Sequence, residues 1–247
     1  MKLVLAEPRL LKESMNIISD LVNEVTLKID QDKIELIAID PANVAMIDFK
    51  LLSSAFVEYT VEKPEELAIN LDHLKSVLKR AKPTDTVTMS LEEDKNRLNI
   101  ALKGQSVRTF NIPLINIEES EQKLPNLTFT SKIVMSSAKF DDAVEDMSIV
   151  AESVGLNTKT DLFTIKSESN MRDAEVEIGA SEETTIIADE ENSSKYSMEY
   201  LKKVSKASKL SDSVSLEFGN DYPLRAEYKL LDKLRLAFIL APRVAGD

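Results

Sequence analysis

The chain has 247 residues, 31 basic and 43 acidic side chains for a net charge of −12, one His, no Cys and no Trp. That length allows one large domain or two of about 120 residues, and 43% hydrophobic with 30% charged residues is the balance of a soluble globular protein. The missing Cys excludes disulfides, thiolate metal sites and cysteine nucleophiles. A single His leaves no His-rich metal cluster, five Gly leave no glycine-rich phosphate cradle, and 5% aromatics argue against a stacking platform for bases.

Residues 1–7 form too short an apolar run for a signal peptide, and no stretch approaches the roughly 20 apolar residues of a membrane helix. A membrane-free, intracellular protein is expected. The periodicity then predicts, in chain order, a helix over 8–23 with Leu11, Met15, Ile18 and Val22 on one face. Strands follow at 34–39 and 44–51, after a hairpin loop at 30–33, and at 66–71. A second helix over 72–82 aligns Leu74, Val77, Leu78 and Ala81, with Asp72 as its N-cap. Strands at 86–91, 97–102 and 107–112 come next, the first two joined by a loop at 93–96. The acidic segment 117–130, with Pro125 and no amphipathic period, reads as an extended connector. A third helix over 138–152 aligns Phe140, Val144, Met147 and Ala151, and strands at 162–167 and 174–178 follow. A fourth helix over 197–209 aligns Leu201, Val204 and Ser208 behind Ser197, its candidate N-cap. Strands at 214–218, 224–229 and 234–240 close the chain, with a loop at 219–221.

This order repeats. At an offset of 127, residues 69–91 lie over 196–218 with seven of 23 pairs identical: Leu74/Leu201, Lys75/Lys202, Val77/Val204, Lys79/Lys206, Lys82/Lys209, Asp85/Asp212 and Val87/Val214. Chance would give about one or two, so the chain is read as a duplication. Arg108 with Arg235 and Ile112 with Ile239 fall at the same offset. Two α+β domains of one topology are expected, over 1–116 and 131–247, with 117–130 between them.

Lys75, Lys79 and Lys82 are spaced i, i+4, i+7, a stripe opposite the apolar face of their helix, with Arg80 beside them. Lys202, Lys206 and Lys209 repeat it, with Lys203 adjacent. Like charges at i, i+4 cost a few tenths of a kcal/mol per pair, and no Glu is interspersed. Two such stripes in a chain of −12 suit a protein that touches a polyanion with one surface only. Lys is a mobile point charge, and loose phosphate contacts carry no sequence information.

Four strings place the chain near a known family: Leu36-Ile37-Ala38-Ile39-Asp40-Pro41, Asn70-Leu71-Asp72-His73-Leu74-Lys75, Arg108-Thr109-Phe110-Asn111-Ile112-Pro113-Leu114-Ile115 and Leu240-Ala241-Pro242-Arg243. Together with the duplication they resemble the DNA sliding clamps of the proliferating cell nuclear antigen family. The short end after Arg243 is similar to the archaeal type. The resemblance implies a ring of three two-domain subunits, strands outside and helices lining a channel for duplex DNA. Arg9, Lys12, Lys75, Lys79, Arg80, Lys82, Lys202, Lys203, Lys206 and Lys209 are then the expected DNA-facing cations. Arg80 and Lys82 have an alternative place at the subunit interface. There the resemblance sets them and Arg108 against Asp142 and Asp146 of a neighbour, on an acidic third helix that also carries Asp141 and Glu145. The strands joined between subunits match Val107, Arg108, Thr109, Phe110 and Ile112 on one side and Arg172, Ala174, Val176 and Ile178 on the other. A partner-peptide pocket under the connector matches Ile39, Asn43, Val44, Leu124, Pro125, Pro223, Ile239, Ala241 and Pro242. Ile239 and Asn43 depart from eukaryotic members.

The implied partners are double-stranded DNA, a replicative DNA polymerase, a clamp loader, a flap endonuclease and a DNA ligase. No cofactor or metal is implied, and the location is the cytoplasm of an archaeal cell, or the nucleus if the source is eukaryotic. No catalytic constellation emerges. His73 reads as a partly exposed structural residue. The acid runs at 118–121, 182–183 and 189–191 read as solvated charge rather than a cation site. The alternatives are a subunit of a heterotrimeric or damage-response clamp and a small-molecule enzyme on an unrelated duplicated α+β fold.

Overall fold

A computed structural model describes residues 1–117, 122–188 and 190–243. Residues 118–121 of the connector, with their acid run, and Asp189 of the last run lie outside the described residues. Contacts divide the chain into two units: Met1–Ile39, Ile47–Leu124 and Leu230–Leu236 form the first, and Asp40–Met46, Pro125–Lys229 and Ala237–Asp247 the second.

In chain order the first repeat runs β1 (Lys2–Leu5), α1 (Arg9–Ile18), β2 (Glu24–Ile29), β3 (Lys33–Ile39), β4 (Ala45–Leu52), β5 (Glu58–Thr60), β6 (Glu65–Asn70), α2 (Leu71–Lys79), β7 (Thr86–Glu92), β8 (Arg97–Lys103) and β9 (Val107–Pro113). The second runs β10 (Ser131–Ser136), α3 (Ser137–Met147), β11 (Ser153–Lys159), β12 (Leu162–Glu168), β13 (Asp173–Gly179), β14 (Thr185–Ala188), β15 (Asn192–Ser197), α4 (Met198–Ser205), β16 (Ser213–Phe218), β17 (Leu224–Leu230) and β18 (Leu234–Leu240). The strand orders match. The first repeat has β5-β1-β7-β8-β9 and β4-β3-β2-β6; the second has β14-β10-β16-β17-β18 and β13-β12-β11-β15. The duplication expected from the sequence is therefore present strand for strand.

Each helix buries one stripe. α1 buries Leu10, Leu11, Met15 and Ile18, α2 Leu71, Leu74, Val77 and Leu78, α3 Phe140, Val144 and Met147, and α4 Met198, Leu201 and Val204. Full burial of each large apolar side chain contributes about 1.5–3 kcal/mol, so the polar face of each helix is left outward by default.

Several expected boundaries are corrected. The first helix ends at Ile18, not 23: Asp20 and Leu21 donate to Ile17 and Ile18 carbonyls three residues back, which tightens the last turn. Asp72 is not the N-cap of α2. The Asn70 side-chain oxygen accepts from the Asp72 and His73 N–H groups at 3.0 and 3.3 Å, which makes Asn70 the cap. Leu71 opens that helix instead of ending a strand. The fourth helix stops at Ser205 and continues as a 3₁₀ turn over Lys206–Lys209. Seven strands escape hydropathy, β15 most plainly: Asn192, Ser194 and Tyr196 are its buried side, and Ser194 and Tyr196 hydroxyls both donate to the Tyr222 carbonyl.

Candidate nucleic-acid and partner surfaces

In the first unit, the outward side of α1 and α2 carries Arg9, Lys12, Lys75 and Lys79, with Arg80 at the C-cap. Lys12 Nζ donates to the Ala81 carbonyl at 3.3 Å, a cation at the end of α2 where the helix dipole favours one. Lys75 pairs with Asp20 at 3.7 Å, whereas Lys79 and Arg80 are exposed. Lys82 is exposed but lies past the helix end, so it does not continue the α-helical stripe.

In the second unit, Lys202 pairs with Glu145 at 3.2 Å and Lys203 with Glu199 at 2.7 Å. Lys203 Nζ also sits 5.1 Å from the Tyr200 ring centre, within cation–π range. Lys206 and Lys209 are exposed on the 3₁₀ turn, so Lys209 too leaves the α-helical spacing. The stripes themselves hold no acid, but acids reach them from outside: Asp20 and Glu145 from other elements and Glu199 from the preceding turn of α4. On α3, Asp141 accepts from the Ser208 hydroxyl at 3.0 Å, while Asp142 and Asp146 are exposed.

The expected interface strands are both sheet edges: β9 ends the five-stranded sheet of the first repeat and β13 the four-stranded sheet of the second. On β9, Val107 is 66% exposed, Thr109 is exposed and Phe110 half-buried, but Ile112 is 2% exposed and offers only its backbone. Arg108 Nη2 pairs with buried Asp85 and its Nη1 donates to the Arg80 carbonyl at 3.0 Å. On β13, Ala174, Val176 and Ile178 are half-buried and Glu175 and Glu177 exposed. Arg172 precedes the strand, in the turn where its carbonyl accepts from Ser169 N–H at 2.8 Å.

Of the nine expected peptide-site residues, three line a depression of the second unit and one lines a groove of the first. In the second unit, Val44, Ala241 and Pro242 line a depression of about 800 Å³ with Ile149, Met198, Tyr200 and Arg243, and Ala241 N–H donates to the Val44 carbonyl at 2.8 Å. Ile39 lines a separate groove of about 500 Å³ in the first unit, beside Ile37 and Gln122. Leu124 is 40% exposed and Pro125 exposed; Pro223 and Ile239 are half-buried. None of those four, nor Asn43, lines either hollow. Asn43 has a backbone role: its φ is 56°, a left-handed conformation that Asn tolerates better than most residues.

Asp40 organises that loop. Its carboxylate accepts from Ala42, Val44 and Ala45 N–H at 3.1, 2.7 and 2.6 Å and from the Tyr200 hydroxyl at 2.6 Å. Burial opposes its ionisation, but the bonds from Ala45, Tyr200, Ala42 and Val44 outweigh it and hold the carboxyl below its ordinary range. Bonding to Asp40, helped by burial, pushes the Tyr200 hydroxyl up to about 12. Sequence reasoning passed over both residues, although an Asp followed by Pro-Ala-Asn is a recognisable turn signal. No group of three or more His, Cys, Asp or Glu among the described residues is arranged to hold a metal ion. His73 is exposed on α2, and no described helix is long and apolar enough to cross a membrane.

Comparison with known proteins gives one result throughout. The proliferating cell nuclear antigen N-terminal domain profile matches residues 1–122 and the C-terminal domain profile residues 123–243. The DNA polymerase sliding clamp of Pyrococcus furiosus is 39% identical over 228 residues, 92% of this chain and 91% of that protein. That of Nanoarchaeum equitans is 34% identical over 247 residues, covering 98% and 99%. Among solved structures, the chain is similar to the nuclear antigen of Thermococcus kodakaraensis (TM-score 0.91, 26% identity, 98% and 99% covered). It shares its fold with that of Entamoeba histolytica (TM-score 0.92, 21% identity, 98% of each covered).

Proposed function

The chain belongs to the proliferating cell nuclear antigen family, and from that premise we propose that three copies close into a ring that encircles duplex DNA and tethers a replicative polymerase to it. As a sliding clamp the protein is a processivity factor, not an enzyme. The observation that carries the reading is the repetition of one layout. Two units of identical strand order each set lysines on the outward side of a helix pair, Lys75 and Lys79 in one and Lys202 and Lys206 in the other. Exposed lysines meeting phosphates release condensed counterions and hold DNA loosely, without regard to sequence. A net charge of −12 repels polyanions elsewhere. Retention then comes from encirclement rather than affinity.

The open edges of β9 and β13 support assembly by strand addition, which would also remove two aggregation-prone edges. Exposed Asp142 and Asp146 on α3, with Arg80 and Lys82, supply opposite charges for the same contact. For partners, the second-unit surface carrying Val44, Ala241 and Pro242, with Ile239 beside them in sequence, is where we place the docking of short apolar peptides. Such peptides would come from the polymerase and also from a clamp loader, a flap endonuclease and a ligase.

The test is primer extension on singly primed circular DNA with a cognate polymerase and loader. The clamp should convert short products to long ones, and linearising the template near the primer should cancel the gain, because a ring slides off an open end. Equal stimulation on both templates would reject encirclement. Light scattering of the isolated chain should give three times 27.6 kDa.

A further inference from the structure

The depression of the second unit is larger than a single side chain needs. At about 800 Å³ it has the size of a hollow that takes a whole small ligand. Besides Val44, Ala241 and Pro242, its lining includes Ser148, Ile149 and Val150, which follow the last turn of α3. Ile149 is 69% exposed there, whereas Phe140, Val144 and Met147 of α3 are buried. An isoleucine left in water forgoes the stabilisation that burial gives. One set in the wall of a hollow that already holds other apolar side chains adds to a contiguous patch, the kind of exposure that marks a contact.

The backbone around Ile149 is fixed by its neighbours. The Ser148 hydroxyl donates to the Glu145 carbonyl at 2.7 Å. Lys202 Nζ of α4 donates to that hydroxyl at 3.3 Å and pairs with Glu145 at 3.2 Å, so the turn before Ile149 is fastened to α4. Ile149 and Val150 N–H donate to the Asp146 and Met147 carbonyls at 3.3 and 3.1 Å, and Met198 N–H to the Glu152 carbonyl at 2.9 Å. With those donors used, this end of the hollow offers side-chain area rather than amide hydrogens. The tail that carries Ala241 and Pro242 is tied to the same loop, because Arg243 Nη1 also donates to the Glu152 carbonyl, at 3.3 Å. A preformed apolar wall of this kind costs little ordering entropy when a ligand covers it.

We propose that Ile149 is a second anchor of the partner-docking surface, and that it receives an aliphatic side chain from the residues flanking the peptide stretch that docks at Val44 and Ala241. The inference rests on the docking reading above and adds a contact of stated chemistry in the same hollow. Continuity supports a flanking segment as the occupant. Val44, Ala241 and Pro242 line the hollow together with Ile149, so a chain docked on the first three has only to continue within it to reach the fourth. An apolar occupant fits because charges near Ile149 are already met: Lys202 by Glu145, and Glu199 by Lys203 at 2.7 Å. A small number of apolar anchors seated in pockets carry most of the energy of such contacts, so one further anchor separates clients that have the flanking residue from clients that lack it.

Calorimetric titration of the full chain tests this. The probes are a core peptide carrying a Gln, an aliphatic residue and two aromatics, and versions lengthened by four residues at one end or the other, with two Leu or two Ser among them. One of the two Leu-extended peptides should bind about tenfold more tightly than its Ser counterpart, the gain expected for burying an aliphatic side chain. Ile149→Ala and Ile149→Glu should each cut that gain below about threefold and leave the affinity of the core peptide unchanged. Ile149 is exposed, so both variants should fold, and light scattering should give each the mass of the unaltered chain. If the core peptide binds but neither Leu extension gains, or the gain survives Ile149→Glu, then Ile149 is not an anchor and the docking site stands without it. A changed mass for Ile149→Glu would place Ile149 at a contact between copies of the chain and overturn the proposal. If the core peptide does not bind the unaltered chain, the docking reading itself falls and the second anchor with it.

Discussion

The Tyr200 hydroxyl donates to Asp40 Oδ2 at 2.6 Å, so α4 holds the loop between β3 and β4 by its side chain. Val44 in that loop lines the same depression as Tyr200. The helix that presents Lys202 and Lys203 and the loop expected to receive partner peptides are thus fastened together within one unit.

Removing either end of this bond should destabilise the second unit. Tyr200→Phe deletes a hydrogen bond to a charged group and is expected to cost about 1.5–3 kcal/mol, measured by denaturant unfolding. The pH dependence has a fixed sign. Hydrogen bonds lower the folded-state pKa of Asp40 despite the opposing effect of burial, so its contribution is complete above the ordinary carboxylate value of about 3.9. It is lost as pH falls through the lower folded value. The stability gap between the unaltered protein and Asp40→Asn should therefore be full at neutral pH and shrink only in strong acid. A gap that does not change with acidification would rule out the carboxylate as its source.

The lysines should not contribute equally to DNA contact. Lys75 and Lys202 are half-buried, whereas Lys79 and Lys206 are exposed. Lys79→Glu with Lys206→Glu should weaken DNA-dependent polymerase stimulation more than Lys75→Glu with Lys202→Glu, with the trimer unchanged by light scattering. Each lost phosphate contact should flatten the salt dependence by about 0.9 in log–log slope. Stimulation unaffected at low salt by all four changes would make these lysines ordinary solvated surface.

The repeat was legible because the second helices conserve apolar and Lys positions at one offset, and the strands that alternate strongly were legible with it. β15 was not, since its buried side is Asn192, Ser194 and Tyr196 and its polar atoms are satisfied by carbonyls distant in sequence. Helix ends were misjudged where apolar residues persist past the last turn, as Leu21 and Val22 do, buried beyond α1. The cations named from the sequence sit on or just beyond α1, α2 and α4. Their partners were missed because Asp20 and Glu145 approach Lys75 and Lys202 through tertiary packing, which no spacing rule within one helix reports.

Partner binding should depend on the second-unit surface. Val44→Ala with Ile239→Ala removes apolar area from two half-buried positions without touching β9 or β13. Calorimetric titration with a peptide carrying a Gln, an aliphatic residue and two aromatics should show about tenfold weaker binding, the size expected for losing roughly 1.4 kcal/mol. The trimer should persist. Unaltered affinity would move the docking site elsewhere.

The tightest packing constraint on the β9 edge is at Gly104, in the turn between β8 and β9. A Cβ built there would come within 2.1 Å of Asp85 Oδ1, closer than any real contact allows. Asp85 is 2% exposed, accepts from Lys82 N–H at 2.9 Å and pairs with Arg108, so it has little room to withdraw. Gly104→Ala should displace the carboxylate from Arg108 and leave a buried charge poorly compensated, costing about 3–5 kcal/mol, the range for breaking a buried ion pair. Asp85→Asn in the same background relieves that charge and should recover part of the loss, which a purely steric defect would not permit. Thermal unfolding of the three variants separates these outcomes. A Gly104→Ala protein as stable as the original would show that the turn can shift and that Asp85 does not depend on the missing side chain.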